Sequence, residues 1–376
     1  MKIVTNNLKL VQKVWTTVRN TGILPYQYVY IDFDNDTVKF MNEQCYVKAQ
    51  LVLVDKENHT PMFIEGAKFF SLVNSYEFLT VDGDAFISQN GNKFVLPALS
   101  NDMEFPDFSF DDWESKTVDF SDSLKMILSA SQEYIDKQES SFSTLFFQDG
   151  VGIALNKRRM FFAETHDAAC TGFNFPLDVI RVITALGIEG QVELQTRTAT
   201  NGSCMIQFEV EGILFRYTAS SEYKLPVDPF SDKFMSSFYH DNCFYFERNK
   251  LNEAVKFISD YFKGFKDIVC KSVFHTLDEA GAPLVEPYLQ ITLKYQGELN
   301  YKVPLISVTD PAYFDGKIVS FYIDTYKSII STLGAYGVEM IKARFQQGKP
   351  GVMFTDGADG AEESRIYLVH IIVEEV

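Results

Sequence analysis

The sequence predicts an α+β protein built from three similar domains in tandem. Two observations carry this. A helix-like apolar segment followed by two or three alternating strands and tight turns occurs near 66–99, again near 176–218 and again near 323–373. Each occurrence also has a second helix candidate upstream of it. The period is too long for a solenoid, and a unit of roughly 120 residues is an ordinary domain size.

Taken in order, the first copy runs GAKFFSLVNSY, then EFLTV, Asp82-Gly83, AFISQ, Asn90-Gly91 and KFVLPAL. The second runs PLDVIRVITALG, QVELQTR, Asn201-Gly202, CMIQFEV, Glu211-Gly212 and ILFRYTA. The third runs IDTYKSIISTLG, VEMIKARF, a Gly348-Lys349-Pro350-Gly351 turn, VMF, Asp356-Gly357 and RIYLVHIIV. Asp-Gly and Asn-Gly between alternating apolar runs are strong hairpin signals, because glycine takes the positive φ that tight hairpin turns need.

The upstream helices are read at 7–19, 121–136 and 247–267. Asn7–Arg19 puts Leu8, Val11, Trp15 and Val18 on one face with Lys9 and Lys13 opposite. Ser121 and Asp122 are cap candidates for a helix carrying Leu124, Ile127, Leu128 and Ile135. Leu251, Ala254, Val255, Ile258 and Phe262 form the apolar face of the third. Strand-like stretches follow each one, such as VKFMN after the first and GIALN after the second. Domain boundaries are placed at 1–118, 119–242 and 243–376. Two helices cover only one face of a twisted sheet, and the sheet ends in open edges. Such edges invite pairing with a second copy, and a closed dimer removes them.

The chain has 376 residues, 46% hydrophobic and 15% aromatic, enough for sizeable cores and far from a disordered composition. The five cysteines are scattered with no CxxC pair, which argues against a disulfide framework or a zinc site and for reduced thiols. No apolar run approaches the ~20 residues of a membrane span, and the N-terminus has no signal-peptide pattern. The sequence reads as soluble.

Net charge is −17, which taken alone disfavours a nucleic-acid partner. The distribution says otherwise. The six helix candidates together carry +3, so the remainder of the chain carries −20. Lys9, Lys13, Arg19, Lys68, Lys125, Arg181, Lys250, Lys256, Lys263 and Lys327 lie on or beside these helices. For any one of them a solvated helix face is the plain reading; the pattern over six segments suggests a shared face relieved of acid.

No catalytic pattern is present: no GxSxG, HExxH, Walker glycine loop or dinucleotide fingerprint. The histidines are isolated, and Asp32, Asp34 and Asp36 lack the glycine and distal glutamate of a calcium loop. No cofactor and no metal are expected, and no enzymatic activity. A cluster of another kind stands out: Leu155-Asn156-Lys157-Arg158-Arg159-Met160-Phe161, three cations between apolar residues, either a solvated charge run or the rim of a partner site.

The chain resembles the bacterial-type DNA polymerase III β sliding clamp over essentially its whole length. LPALSNDMEFPDFSFDDWESKTVDFSDSLKMILSAS (96–131) is similar to the family's segment joining domain 1 to domain 2. IDTYKSIISTLGAYGVEMIKARF (323–345) looks like its last helix and strand, and Arg365–Val369 like its closing Tyr-Leu-Val segment. The resemblance implies a DNA-clamp fold, three domains per chain closing into a ring as a head-to-tail homodimer. The ring would encircle duplex DNA without reading sequence and tether the replicative polymerase, its helices and their ten cations facing the DNA. It also implies a pocket for short peptide motifs of the polymerase and the clamp loader. Matched residue by residue, that pocket comprises Leu155, Lys157, Arg158, Met160, Pro226, Tyr367, Leu368, Val369 and Ile371. Lys157 replaces the family's glycine, and His370–Val376 replaces its usual ending, which suggests a divergent or bacteriophage-encoded clamp with its own matched polymerase. The resemblance places the protein in a bacterial or phage-infected cytoplasm. The alternative is a repeat-built structural or virion protein that never meets DNA.

Overall fold

The computed structural model describes residues 1–19, 23–99, 105–106, 110, 112–135, 143–148, 150–165, 170, 173–198, 203–219, 236–238, 241–263, 268–294, 298–357 and 366–372. In the first third the elements are β1 (Lys2–Val4), α1 (Leu8–Val18), β2 (Tyr28–Asp32), β3 (Thr37–Met41), β4 (Cys45–Gln50), β5 (Val52–Val54), β6 (Met62–Glu65), α2 (Gly66–Ser75), β7 (Phe78–Asp82), β8 (Ala85–Ser88) and β9 (Lys93–Val95). In the second they are β10 (Glu114–Phe120), α3 (Asp122–Ser131), β11 (Thr144–Gln148), β12 (Val151–Leu155), β13 (Arg159–Glu164), β14 (Asn174–Pro176), α4 (Leu177–Leu186), β15 (Gly190–Thr198), β16 (Cys204–Val210) and β17 (Ile213–Thr218). In the third they are β18 (Phe244–Glu247), α5 (Arg248–Tyr261), β19 (Val269–Leu277), β20 (Pro283–Lys294), β21 (Glu298–Pro304), β22 (Ser307–Val308), α6 (Pro311–Phe314), β23 (Ile318–Tyr322), α7 (Ile323–Ala335), β24 (Met340–Phe345), β25 (Gly351–Asp356) and β26 (Ile366–Ile371).

The helices form where the apolar spacing predicts them, with shorter ends. α1 buries Leu8, Val11, Val14, Trp15 and Val18. α3 starts at the Ser121 cap, whose Oγ accepts from the Leu124 N–H at 3.4 Å, and stops at Ser131 rather than 136. There Ser131 Oγ turns back onto the Leu128 carbonyl and Tyr134 N–H bonds the Ser131 carbonyl, so the chain leaves the helix in a turn. α4 ends in the left-handed Gly187 (φ 63°), with the Ile188 N–H reaching back to the Ile183 carbonyl, a glycine cap that satisfies the last carbonyls. α5 ends at Tyr261, before the predicted 267. The short α6 and a 3-10 turn over Leu24–Gln27 are additions that no apolar period announces.

The strands form four sheets, β5-β1-β7-β8-β9, β10-β15-β16-β17-β4-β3-β2-β6, β14-β11-β12-β13-β26-β25-β24-β18-β22 and β21-β20-β19-β23, and every pairing whose register is described is antiparallel. The chain divides into two compact units. One comprises Met1–Lys125 and Phe175–Lys224 and holds the five- and eight-stranded sheets. In it α1 packs against α2 and α4. The core is aromatic: Phe70 lies 5.2 Å from Trp15 and 5.3 Å from Phe69, centroid to centroid. The other unit comprises Met126–Asn174 and Leu225–Val376, with α5 against α7. Phe244, Phe274, Phe314 and Phe345 form an aromatic cluster there, all buried. Each fully buried side chain of this kind is worth about 1.5–3 kcal/mol of transfer free energy.

The repeats correspond strand for strand. β1-β7-β8-β9, β10-β15-β16-β17 and β18-β24-β25-β26 are one pattern; β6-β2-β3-β4, β14-β11-β12-β13 and β23-β19-β20-β21 are another. Both long sheets join the last strand of the first pattern to the last strand of the second: β17 to β4, and β26 to β13.

Candidate functional site

The ten cations expected on or beside helices fall into two classes. Five of them are paired with acid close at hand. Lys68 meets Glu65 at 3.0 Å, Lys327 meets Asp324 at 3.0 Å, Lys250 meets Glu253 at 3.3 Å and Arg181 meets Asp178 at 3.8 Å. Lys125 lies 2.8 Å from Asp122 and 2.9 Å from Glu189. Hydrogen bonding to Lys125 and its charge lower the Asp122 carboxyl, while Asp122 and Glu189 raise the Lys125 ammonium. These i,i+3 pairs sit in solvent and contribute little to stability.

The other five have no such pair among the described residues. Lys9 and Lys13 stand with Thr16 on the exposed stripe of α1, opposite its buried face. Lys256 and Lys263 are exposed on and just beyond α5. None of these four lysines has an ion pair among the described residues. Arg19 lies 5.0 Å over the Trp15 ring. Of the ten helix-associated cations, the four lysines without an ion pair among the described residues therefore lie on α1 and on or just beyond α5, a distinction that composition did not make.

The second set is the expected partner pocket. Pro226 lies outside the described residues. The others belong to the β12–β13 hairpin and to β26, which pair directly: Met160 faces Val369, Phe161 faces Leu368 and Phe162 faces Tyr367. Successive strand residues alternate faces, so Tyr367, Val369 and Ile371 share one face with Met160 and its partner Leu155. Leu368 points to the opposite side and is fully buried, so the resemblance-based wall residue belongs to the core. Lys157 and Arg158 are exposed in the turn, and Arg158 lies 5.2 Å over the Tyr322 ring. The turn is held by Asn156, whose Oδ1 accepts from the N–H groups of Arg158 and Arg159, both at 2.9 Å.

Sequence reading missed His370. Its ring is 1% exposed, in contact with Tyr134, Phe321 and Phe354, and both ring nitrogens lack a hydrogen-bond partner. Burial, with a smaller contribution from the Arg159 charge, pushes the imidazole down to about 3. It stands in β26 between Val369 and Ile371 and, by strand alternation, on the opposite face from both.

Asp32 is occupied structurally. Asn35 donates to it through its backbone N–H at 3.1 Å and Nδ2 at 2.9 Å, and Lys39 pairs with it at 3.4 Å, both side chains 7% exposed. Burial pushes this carboxyl up, and the Asn35 hydrogen bonds with the Lys39 charge outweigh it, leaving it lowered. Among the described residues no group of three or more His, Cys, Asp or Glu side chains is placed to hold a metal ion. Nor is any described helix long and apolar enough to cross a membrane.

No family model and no curated protein matches the sequence. Solved structures do match, end to end. The DNA polymerase III β subunit of Thermotoga maritima superposes with a TM-score of 0.72 at 14% identity, over 100% of this chain and 99% of that one. The chain has the sliding-clamp fold. The Bacillus subtilis DNA polymerase sliding clamp matches over 100% of this chain and 99% of its own, at a TM-score of 0.71 and 11% identity. A Helicobacter pylori β clamp solved with a DNA ligase peptide matches over the whole of both chains, at a TM-score of 0.68 and 13% identity. With so few shared residues, the clamp fold here is carried by the strand-for-strand repetition and the apolar periods, not by residue identity.

Proposed function

We propose that the protein is a sliding clamp: two copies close head to tail into a ring around duplex DNA and tether a DNA polymerase to it. The carrying observation is the joining rule of the sheets. Within the chain, β17 pairs with β4 and β26 with β13. The corresponding strands left over are β9, at the edge of the five-stranded sheet, and β21, at the edge of the four-stranded one. Pairing β9 of one copy with β21 of another produces the order β23-β19-β20-β21-β9-β8-β7-β1-β5, strand for strand the pattern of the nine-stranded sheet. A heterologous contact that repeats once and closes is a ring of two, with three repeats (1–118, 119–242 and 243–376) from each chain.

The side chains beside those edges fit an interface. Val95 of β9 is 64% exposed. Phe257 and Tyr261 of α5 are 48% and 67% exposed, stacked 6.5 Å apart, with Phe257 5.7 Å from Tyr301 of β21. Lys9, Lys13, Lys256 and Lys263, without an ion pair among the described residues, suit a lining that meets phosphates without reading bases, while the acidic remainder keeps DNA off the outside. The tether works through effective concentration, and the chain does no chemistry of its own. The β13–β26 face receives the polymerase and loader peptides; that a clamp of this fold takes a short peptide is supported by the H. pylori β clamp bound to a DNA ligase peptide. A bacterial or phage-infected cytoplasm is where such a protein acts.

Retention on nicked circular DNA tests this. A topological ring stays on the circle through gel filtration and is lost when the circle is linearised, and its mass in solution is that of a dimer. Retention that survives linearisation, or a monomer mass with no DNA retention, overturns the proposal and favours a repeat-built assembly protein.

A further inference from the structure

The two strand junctions inside the chain are the same structure. At the β13–β26 junction, Asn156 Oδ1 accepts from the Arg158 and Arg159 N–H groups, both at 2.9 Å. The Asn156 N–H bonds the Arg159 carbonyl at 2.9 Å, and the Ile371 N–H bonds the Arg158 carbonyl at 2.9 Å. At the β17–β4 junction, Asn42 Oδ1 accepts from the Gln44 N–H at 2.8 Å and the Cys45 N–H at 2.6 Å. The Asn42 N–H bonds the Cys45 carbonyl at 2.9 Å, and the Thr218 N–H bonds the Gln44 carbonyl at 2.7 Å. The registers then equate Met41 with Leu155, Tyr46 with Met160, Arg216 with Val369 and Thr218 with Ile371.

At this first junction those positions surround a cavity of about 260 Å³. Met41, Tyr46, Phe110 and Met205 supply apolar walls, and Glu43, Arg216 and Thr218 supply polar ones. The space exceeds what one leucine or phenylalanine side chain fills. Arg216 is a built part of the wall: 7% exposed, its Nε donating to Gln207 Oε1 at 2.8 Å, its guanidinium 5.4 Å over Tyr46 and 5.2 Å over Phe110. The rim differs from that of the second junction in charge. Where the second has Lys157 and Arg158, the first has Glu43, which is exposed, and Gln44.

We infer that the β17–β4 junction is a second peptide-docking site, taking a short apolar segment of a partner protein that carries basic residues beside its anchor. The occupant follows from charge complementarity: the exposed rim offers a carboxylate where the other junction offers two cations, so the two sites select differently flanked peptides. This rests on the reading of the β13–β26 face as a peptide pocket.

The test uses the whole protein labelled at its methionine methyl groups, since Met41 and Met205 line the first junction and Met160 the second. Two probes are titrated: lysine-leucine-phenylalanine-lysine, and the same tetrapeptide with glutamate at both ends. The basic peptide should shift Met41 and Met205, with affinity about five-fold above that of the acidic one, and Glu43→Lys should reverse the preference. If neither peptide moves Met41 or Met205 while Met160 responds, the β17–β4 site is overturned and the β13–β26 reading stands. If Met41 and Met205 respond while Met160 is silent to both, the β13–β26 reading fails and this one is supported. Shifts of Met41 that follow protein concentration without peptide mean that a second copy fills the cavity, which overturns the inference.

Discussion

Gly66, the first residue of α2, lies against the indole of Trp15: a Cβ at Gly66 would fall 2.7 Å from Cε2 and Cζ2 of that ring. The glycine lets α1 and α2 approach closely enough for Trp15 to pack against Phe70, the two rings tilted at 41°. Replacing glycine by alanine in a helix usually stabilises it by about 1 kcal/mol. Here Gly66→Ala is expected to destabilise by about 1–3 kcal/mol, because the ring must move in a packed core. Urea unfolding followed by tryptophan fluorescence measures both the loss and the displacement of Trp15.

His370 makes stability fall in acid. Its imidazole titrates near 3 when folded and near its ordinary 6.5 when unfolded, so between those values the unfolded chain binds a proton that the folded one refuses. Stability is complete above about pH 6.5 and drops by about 1.4 kcal/mol per pH unit below it, down to about pH 3. His370→Met removes this contribution. Unfolding free energies of the two proteins should run parallel above pH 7 and diverge below 6; curves that stay parallel to pH 4 would show that the buried ring does not titrate in this way.

The lysines on α1 and α5 should matter more for DNA than the paired ones. Lys9→Gln, Lys13→Gln, Lys256→Gln and Lys263→Gln together should shorten retention on nicked circles and lower the slope of log retention against log salt by about one unit for each lysine that touches phosphate. Lys68→Gln with Lys327→Gln should change it less, since Glu65 and Asp324 already neutralise those charges. Equal effects from both sets would remove the distinction.

Self-association should depend on the aromatic pair of α5. Phe257→Asp with Tyr261→Asp places charge where the proposed contact buries ring surface. The dimer dissociation constant should rise about 30-fold or more, from the ~2 kcal/mol that an aromatic anchor contributes. Sedimentation equilibrium measures it, and an unchanged circular dichroism spectrum separates a weakened contact from a misfolded chain.

Much of this architecture is visible in the residues themselves. Leu8, Val11, Trp15 and Val18 announce α1, and the turns at Gly83, Gly187 and Gly212 fall where glycine marks a positive φ. The helix ends at Ser131 and Tyr261 were read too long because apolar residues such as Ile135 and Phe262 continue the period after the backbone has turned. Strand partners were hidden for a different reason. Which strand β4 meets is decided by Phe215 against Val47 and Tyr217 against Cys45, contacts between residues about 170 positions apart that leave no local period. The equivalence of Asn42 and Asn156 was legible in principle, as the asparagine ending both VKFMN and GIALN. What it implies about the first junction needed the cavity. Motif matching carries no information about strand faces, so the sequence does not show that Leu368 lies on the opposite face of β26 from Tyr367 and Val369.

The three residues of β9 set how a ring of this design would come apart. The junctions within one chain register five residue pairs each, from Ile213 to Tyr217 on β17 and from Ile366 to His370 on β26. β9 spans only Lys93–Val95, so the proposed intermolecular seam would have a shorter zip of backbone bonds than either strand junction within a chain. Strain applied to the circle would tear there first and leave each protomer intact. Opening and resealing then become a mechanical property of one short edge, and a machine that opens the ring needs to grip near that edge without unfolding anything else.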